Sequence, residues 1–360
     1  MPKDSHKKIA LVTISLAGGG AERSTALLSQ MLDAQGFEVH LITLTNAIDY
    51  KYAGTLFNLG LYKKEKDSLV KRLVRFSRFK QYLRREKFDF IIDSRNRSNA
   101  YKEAYYLNYI YRNERVVYVA RSFKLENYFP IGAKVAVKMI QKSAGIVGVS
   151  QEITATINDA FNTKKGVTLY NPVETMPGQN LTNSNCYIFV GRLVDTIKNV
   201  SLLIDAFAKA YLENTSYLLK ICGDGPDKVI LQQKVTDLGL DQAIVFEPFT
   251  SDIYQKMAAA RALILTSHYE GFPRVIIEAL SLGTPVISVD CKSGPKEVIQ
   301  DKHNGLLVPN HDVDALAKAI NTFSTDVAVY EHCKGNAKDS VSHLTMDAIG
   351  KQWKEYIASL

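Results

Sequence analysis

Short, mostly apolar runs alternate with longer amphipathic stretches along nearly the whole chain. The runs at 8–15, 38–43 and 262–265 are too short for ordinary helices and are rich in β-branched and leucine residues, which is typical of buried parallel strands. Stretches such as 21–35 and 200–211 instead carry apolar residues at helical spacing. This alternation predicts an α/β fold, in which helices cover both faces of parallel sheets.

The length of the chain and one interruption in the pattern predict two domains. The 360 residues are too many for one ordinary domain and fit two. Asn171-Pro172 and the Pro- and Gly-containing stretch 172–185 read as a linker. We therefore predict one Rossmann-like domain at 1–172 and a second at 173–342. The remaining segment, 343–360, is expected to form a helix that crosses back to the first domain.

Residues 266–279 combine several features of a ligand site directly after a predicted strand. Gly271 permits a tight turn, and Pro273 fits the first position of the following helix, whose N-terminus attracts anions. Glu270 follows the strand, and Glu278 lies about one and a half turns into the helix. Because open α/β sheets bind ligands at the carboxyl ends of their strands, both carboxylates are predicted to face one crevice.

The two glutamates enclose seven residues that include Gly-Phe-Pro, and Gly-Thr-Pro-Val-Ile follows shortly after them. This arrangement resembles the signature of the retaining glycosyltransferases of family 4. The resemblance extends to Gly191-Arg192, to Lys198-Asn199 and to the Gly-Asp-Gly-Pro turn at Gly223. It implies the GT-B fold, in which two Rossmann-like, doubly wound domains face each other across a cleft.

By that resemblance, the second domain binds a nucleotide-sugar donor. Arg192 and Lys198 hold the donor diphosphate and, with Glu270, are the implied catalytic residues. Glu278 accepts hydrogen bonds from the ribose hydroxyls, and the base lies near Phe249 and Thr250. The full set of donor-binding residues that we expect is Gly19, Gly20, Gly223, Phe249, Thr250, Gly271, Phe272, Pro273, Arg274 and Glu278.

The implied reaction needs positive charge near the donor. Transfer leaves a nucleoside diphosphate, and fixed cations at the leaving oxygen stabilise the transition state more than the ground state. In this fold such cations commonly replace a metal, so we expect neither a metal nor a cofactor. The leaving phosphate is thought to help deprotonate the acceptor on the same face, so no protein nucleophile is expected. Asp312-Val-Asp314 spells the metal motif of another glycosyltransferase fold, but its position predicts a helix N-cap.

The glycine loop after the first strand predicts that a ligand approaches the backbone closely. A dinucleotide is the alternative ligand, but the loop is not Gly-x-Gly-x-x-Gly, and the second strand ends without an acid for a ribose. The loop also resembles the amino-terminal loop of the family, which implies that Gly18 to Gly20 line the cleft. The residues expected to contact the acceptor are Gly18, Glu22, Arg23 and Arg121. Arg121 stands where many relatives have a histidine, and a surface ion pair is its alternative role.

The formal net charge of +8 is unevenly placed along the chain. Residues 1–172 contain 28 Lys and Arg against 15 Asp and Glu, whereas the remainder contains 17 against 22. The segment 67–87 is strongly basic and also has a helical apolar stripe, formed by Leu69, Leu73, Phe76, Phe79 and Leu83. Such a helix either lies on an anionic membrane surface or docks on the first sheet with a solvated basic face. Nucleic acid is not expected as a partner, because no recognised nucleic-acid module is present.

The resemblance therefore implies a retaining, metal-independent glycosyltransferase. The expected donor is a UDP-sugar, and the expected acceptor is a lipid-linked or surface glycan. A soluble acceptor and a GT-B nucleotide-sugar epimerase are the alternatives. No signal peptide or membrane-spanning run is recognised, and the four scattered cysteines form no metal-ligand pair. The expected location is therefore the cytoplasm, with peripheral association at the inner face of the plasma membrane.

Overall fold

The computed structural model describes residues 7–62, 68–174, 185–248, 250 and 252–360. The chain forms two compact units. The first comprises Met1–Pro172 together with Met346–Leu360, and the second comprises Val173–Thr345. The segment that returns to the first unit therefore begins at Met346, three residues after the start of the predicted segment 343–360.

Each unit contains one parallel sheet. The strands of the first are β1 (Lys8–Thr13), β2 (Glu38–Thr43), β3 (Thr55–Asn58), β4 (Phe90–Asp93), β5 (Val116–Ala120), β6 (Gly145–Gly148) and β7 (Gly166–Thr168). Those of the second are β8 (Cys186–Val190), β9 (Leu218–Cys222), β10 (Ile244–Glu247), β11 (Ala262–Leu265), β12 (Val286–Val289) and β13 (Gly305–Val308). The spatial orders are β3-β2-β1-β4-β5-β6-β7 and β10-β9-β8-β11-β12-β13.

Most of the helices connect successive strands as crossovers, and the last three follow the final strand β13. The helices are α1 (Gly20–Ala34), α2 (Leu69–Glu86), α3 (Ala100–Tyr105), α4 (Lys134–Lys142), α5 (Gln151–Phe161), α6 (Asp195–Lys198), α7 (Val200–Glu213), α8 (Lys228–Asp237), α9 (Ile253–Ala259), α10 (Arg274–Ser281), α11 (Pro295–Val298), α12 (Val313–Thr325), α13 (Val327–Ser340) and α14 (Met346–Ser359). A π-helical turn, Tyr106–Ile110, continues α3. The predicted α/β class, with two Rossmann-like parallel sheets, is confirmed.

The strand order reverses once in each sheet, and each reversal creates a crevice that can bind a ligand. Successive connections run outward from β1 on one side of the first sheet, and from β4 on the other side. The same reversal separates β8 from β11 in the second sheet. At such a point the loops leave in opposite directions and open a crevice at the carboxyl ends of the strands. The residues that follow β1, β4, β8 and β11 are therefore the ones placed to form sites.

The terminal helix α14 is held in the first unit by its apolar face. Ile349, Trp353 and Ile357 recur at helical spacing and are buried, and the helix packs against α1. The backbone at the C-terminal end of this helix is also bonded, because Lys7 donates to the carbonyl of Ile357 at 3.2 Å. The final carbonyl of the chain accepts a hydrogen bond from Arg115 at 2.6 Å.

Helix α2 departs from the predicted stripe. Phe79 and Leu83 are buried as expected, but Leu73 is 57% exposed and Phe76 is half-buried. The side chain of Leu69 lies outside the described part of the chain. Only the second half of α2 therefore buries its apolar face in the core. Among the described residues, no helix is long and apolar enough to cross a bilayer.

The polar segment after β4 is buried, which the sequence pattern did not indicate. The Arg95 guanidinium donates to both carboxylate oxygens of Asp93 at 2.7 to 3.1 Å and to Glu103 at 3.0 Å. Burial opposes ionisation of Asp93, but Arg95 and Arg97 outweigh it and hold the pKa of this carboxyl below its usual value. For Glu103 burial dominates, and its pKa is raised. Arg95 therefore mainly neutralises Asp93.

Arg97 is a fully buried cross-link between the ends of β4 and β5 and the two loops that follow them. Its guanidinium donates to the carbonyls of Asp93 and Arg95 at 2.7 and 2.8 Å. It also donates to the carbonyl of Val119 at 2.9 Å and to that of Tyr128 at 3.0 Å. These carbonyls are satisfied by one side chain rather than by backbone N–H groups, so the loops after β4 and β5 depend on it.

Replacement Arg97→Ala should destabilise the first unit by about 3–5 kcal/mol, because it leaves the Asp93 carboxylate short of charge and several carbonyls unsatisfied. Trp353, the only tryptophan of the chain, lies in the same unit and reports its unfolding by fluorescence in urea. The control is Arg84→Ala on the exposed face of α2, for which the expected change is within about 0.5 kcal/mol. Equal effects of the two substitutions would contradict this account.

Candidate functional site

The loop after β8 carries the first predicted cation, Arg192. Its side chain is exposed and forms no hydrogen bond or ion pair with any residue that the structure describes. The loop itself is tightly held, because the N–H of Leu193 donates to the carbonyl of Asp224 at 2.9 Å. A Cβ at Gly223 would collide with the carbonyl of Gly191, so the close approach of the ends of β8 and β9 requires glycine at position 223. Arg192 is thus a free cation on a fixed loop.

Lys198 ends the short helix α6 and is fixed through its backbone. The carbonyl of Lys198 accepts a hydrogen bond from the Thr266 hydroxyl at 3.0 Å, and the carbonyl of Ile197 accepts one from the N–H of His268 at 2.8 Å. Both donors belong to the segment that follows β11. The turn after α6 is made by Asn199, which adopts a left-handed conformation. Two loops distant in sequence are therefore joined at the switch point.

Glu270 meets Lys198 at this junction. The Lys198 ammonium donates to Oε1 of Glu270 at 2.6 Å, and the Ser267 hydroxyl donates to the same oxygen at 2.6 Å. The backbone of Glu270 is bound on its other side, since its N–H donates to the carbonyl of Lys292 at 2.7 Å. Both charged side chains retain some exposure, 22% and 13%, so a ligand can reach them.

The helix after this loop begins one residue later than expected. Pro273 is the N-cap of α10 rather than its first residue, because its ψ of 103° is extended and the first helical residue is Arg274. The Arg274 guanidinium donates to Oε1 of Glu278 at 2.9 Å, one turn further on. Ile276, Ile277, Ala279 and Leu280 form the buried face of the helix. The predicted partner of Glu278, a ribose, would thus share this carboxylate with Arg274.

Residues after β12 close against the Gly271 turn. The Ser293 hydroxyl donates to the carbonyl of Gly271 at 2.7 Å. Gly294 has a φ of 99°, and a Cβ there would lie 2.7 Å from Cδ of Pro273 and 3.0 Å from the carbonyl oxygen of Gly271. A side chain at this position would therefore displace the segment that leads into α10.

The Cys291 thiol lies in the electrostatic field of the same site. Burial, and next the negative charge of Glu270, raise the pKa of this thiol well above its usual value. Cys291 is therefore a protonated, apolar wall of the site at neutral pH. It was not predicted, and neither was Ser267. Both lie in or beside the quoted motifs, but their roles depend on how β11 and β12 pair, which no local pattern reports.

The predicted contacts of the nucleotide base are Phe249 and Thr250. Phe249 lies outside the described residues. The Thr250 hydroxyl is bonded to the carboxylate of Asp252 and accepts from Lys256 at 3.2 Å.

Asp312 caps α12, since its carboxylate accepts from the N–H of Ala315 at 2.9 Å, as the sequence predicted. Within the described residues, no group of three or more His, Cys, Asp or Glu side chains could hold a metal ion.

The amino-terminal candidates lie after β1 and β5 in the first unit. Gly18 has a φ of 81°, Gly19 is the N-cap of α1 and Gly20 is its first residue. The Glu22 carboxylate occupies the space that a Cβ on Gly19 would need, so an acid already lies beside this helix N-terminus. Arg23, the next acceptor candidate, lies in the first turn of α1, where its N–H donates to the carbonyl of Gly19 at 3.0 Å.

Arg121 follows β5 and is partly committed within the first unit. Its guanidinium donates to the amide oxygen of Asn171 at 2.8 Å. Asn171 directly precedes the boundary between the two units. The contact gives Arg121 a structural partner, although its side chain is not fully buried. The assignment of Arg121 to the acceptor stays a prediction.

The arrangement in the second unit fits a doubly negative ligand with hydroxyl groups. Arg192 supplies a cation without a partner among the described residues, and Lys198 supplies a second one that is already oriented by Glu270. Two carboxylates, Glu270 and Glu278, supply acceptors for hydroxyl groups at the same edge of the sheet. Cations for the phosphates together with carboxylates for the hydroxyl groups are what a nucleoside diphosphate joined to a sugar requires.

Comparison with known protein families covers most of the chain. A family model described as glycosyltransferase family 4 matches residues 18–176. A second, described as glycosyl transferases group 1, matches residues 174–340. The two matches meet where the two compact units divide.

Individual relatives come from bacterial glycan synthesis. The chain is 33% identical to the lipopolysaccharide 1,6-galactosyltransferase of Escherichia coli over 46% of the chain and 48% of that protein. It is 25% identical to the N-acetylgalactosamine-N,N'-diacetylbacillosaminyl-diphospho-undecaprenol 4-alpha-N-acetylgalactosaminyltransferase of Campylobacter jejuni, over 98% of the chain and 99% of that protein. The matches above 30% identity span only 19% to 48% of the relatives' own lengths.

Solved structures resemble the chain over nearly all its length. HepE of Anabaena, crystallised in complex with UDP, has a TM-score of 0.78 and 21% identity. The alignment covers 98% of this chain and all of that one. At this identity the likeness shows that the fold is shared.

Replacement Gly294→Ala should destabilise the second unit by about 1–3 kcal/mol more than Gly283→Ala. Both glycines have positive φ, 99° and 82°, so both substitutions carry a backbone cost. Only at Gly294 would the new methyl group meet other atoms, because nothing lies within 4 Å of a Cβ at Gly283. Urea unfolding followed by circular dichroism measures the difference. Equal losses of unfolding free energy for the two variants would show that the Gly271 turn shifts without cost to accommodate the methyl group.

Proposed function

The chain belongs to the glycosyltransferases of family 4 and group 1, and from that premise we propose that it transfers a glycosyl group from a UDP-sugar to a lipid-linked or surface-glycan acceptor. Its fold is of the GT-B class. The observation that carries the proposal is the 2.6 Å contact between Lys198 and Glu270 at the switch point, beside the exposed Arg192.

The proposed substrates are supported by two relatives whose names state their substrates and by one solved structure with a bound nucleotide. The Escherichia coli and Campylobacter jejuni proteins act on lipopolysaccharide and on an undecaprenol-linked sugar, respectively. The Anabaena structure contains UDP. We therefore assign a UDP-sugar as donor, and a glycan carried on lipid or at the cell surface as acceptor.

In the proposed reaction, the bond between the sugar C1 and the leaving phosphate oxygen breaks while the acceptor oxygen bonds to C1. The proton of the acceptor hydroxyl passes to the departing diphosphate on the same face, so the anomeric configuration is retained. Arg192 and Lys198 neutralise the charge that grows on the diphosphate, in place of a metal ion. Glu270 orients both Lys198 and the donor sugar, and Glu278 binds the ribose hydroxyls.

The acceptor side is assigned to the first unit, at the loops that follow β1 and β5. Gly18, Glu22, Arg23 and Arg121 remain the proposed contacts. The Glu22 carboxylate beside the helix N-terminus favours a hydroxyl-bearing ligand there over a phosphate, because like charges repel.

We place the reaction in the cytoplasm. The four cysteines are free, and burial raises the pKa of Cys222 and of Cys333 to about 11. Buried, protonated thiols that form no disulfide fit a reducing compartment.

The direct test is release of nucleoside diphosphate from a panel of UDP- and GDP-sugars, with and without bacterial lipid extract. We expect release from one UDP-sugar, stimulated by lipid. Glu278→Ala should raise the donor KM by roughly tenfold or more, since one hydrogen bond to a charged acceptor contributes about 1.5–3 kcal/mol. Isomerisation of a donor without diphosphate release would instead identify an epimerase. Release that a soluble sugar stimulates equally would reject the lipid-linked acceptor.

Removal of either cation should slow the chemical step. For Arg192→Ala and Lys198→Ala we expect kcat to fall by about 10²–10³, because each removes charge stabilisation that grows in the transition state. Lys209→Ala, which breaks an exposed ion pair with Asp314, serves as the matched control and should leave kcat unchanged. Full turnover by Glu270→Ala would contradict the role assigned to Glu270.

A further inference from the structure

A groove of about 460 Å³ lies between α2 and α3 in the first unit. Its apolar walls are formed by Leu73 and Phe76 of α2 and by Tyr101 and Tyr105 of α3. Arg72 and Lys102 stand at its borders. We refer to these six residues as the α2–α3 groove. None of them belongs to the site proposed for transfer.

Large apolar side chains around this groove are open to solvent. Leu73 is 57% exposed, the adjacent Val74 is 49% exposed and Tyr101 is 90% exposed. Tyr101, Tyr105 and Tyr109 follow one another at intervals of four residues, and the rings of Tyr105 and Tyr109 lie 5.0 Å apart. Exposed aliphatic residues beside a row of tyrosines are unusual on a surface that faces only water.

The exposed side chains around the groove are not needed to hold α2 on its sheet. That contact uses Phe79, Tyr82 and Leu83, which are buried in the second half of the helix, whereas Leu73 and Val74 in its first half are exposed. The ring of Tyr82 also stacks on Phe57 of β3 at 3.8 Å. The apolar residues at 73, 74 and 101 therefore have no part in the core.

The charge around the groove is predominantly positive. Within 69–86 the only acidic residue is Glu86, and the basic residues of the surrounding segment are Lys71, Arg72, Arg75, Arg78, Lys80, Arg84, Arg85 and Lys87. A second cavity of about 320 Å³ at the far end of α2 is lined by Lys80, Arg84, Lys87 and Arg112 together with Glu114. Desolvation, followed by the charges of Arg84 and Arg112, lowers the pKa of Lys80.

We propose that the α2–α3 groove and the basic face of α2 bind the surface of an anionic lipid bilayer. Leu73, Val74 and Tyr101 enter the boundary between headgroups and acyl chains, and Arg72 and Lys102 contact lipid phosphates. An amphipathic helix with basic and aromatic residues binds such a surface through buried apolar area together with electrostatic attraction. Tyrosine is enriched at this depth because its ring is apolar and its hydroxyl is polar.

The exposed aliphatic residues favour a bilayer over a soluble polyanion. A polyanionic glycan would be bound through the arginines, lysines and tyrosines, and it would make no use of Leu73 or Val74. A bilayer uses both kinds of residue at once. Binding to a bilayer also requires no donor or acceptor, so it is measured independently of the transfer reaction.

The test is co-sedimentation of the full chain with vesicles of phosphatidylcholine that contain about 30% phosphatidylglycerol. We expect binding that is at least about tenfold weaker with phosphatidylcholine alone, and that is weakened by about 0.5 M salt. The charge variant Arg72→Ser/Lys102→Ser should bind roughly tenfold to thirtyfold more weakly. The matched control is Lys318→Ser/Lys338→Ser, exposed lysines of the second unit, with binding close to that of the original chain.

The decisive variant is Leu73→Ser/Tyr101→Ser, which leaves the charge unchanged. We expect its vesicle binding to fall about tenfold or more, whereas Leu212→Ser, at an 85% exposed leucine of the second unit, has no effect. All these side chains are exposed, and circular dichroism confirms that each variant is folded. Absence of vesicle binding by the original chain would overturn the proposal. The proposal would also be overturned if Leu73→Ser/Tyr101→Ser still bound vesicles and the protein bound heparin in a charge-dependent way. That result would identify a soluble polyanion as the partner.

Discussion

The reversal of strand order between β8 and β11 is the constraint on which the candidate site depends. Crossover connections in parallel sheets are right-handed, so loops that leave neighbouring strands in opposite directions open a crevice between them. That crevice brings together Lys198 and Glu270, which are far apart in sequence and whose charged atoms lie 2.6 Å apart. The hydrogen bonds from the Thr266 hydroxyl and the His268 N–H to the end of α6 then make the junction rigid.

Charge is handled differently at the corresponding points of the two units. In the second unit, Arg192 is exposed on a fixed loop, and the Lys198–Glu270 pair retains access to solvent. In the first unit, the loop after β4 uses Arg95 and Arg97 internally, to neutralise Asp93 and to satisfy carbonyls. Buried, fully bonded guanidinium groups serve the architecture, whereas partly exposed cations remain available to a ligand.

The parts of the site that local patterns predicted are those governed by local chemistry. The strand, turn and helix around Gly271 follow from an apolar run, a glycine and a helical stripe, and α10 differs only in that Pro273 caps it. The N-cap of α12 at Asp312 is local in the same sense. Patterns failed where burial depends on distant partners. No local pattern indicated that Arg95 and Arg97 are buried, and the stripe of α2 left open whether its first half docks on the sheet, where Leu73 is in fact exposed.

The sequence by itself determined the α/β class, the division near Pro172, and the identity of the charged residues that follow β8 and β11. Hydrophobic periodicity and glycine placement are properties of neighbouring residues, so they can be read along the chain. Only the tertiary structure decided that Lys198 bonds Glu270, that Glu278 shares its carboxylate with Arg274, and that Leu73 lies in solvent. These outcomes depend on strand register and on which helix covers which part of a sheet, and such long-range geometry has no local signature.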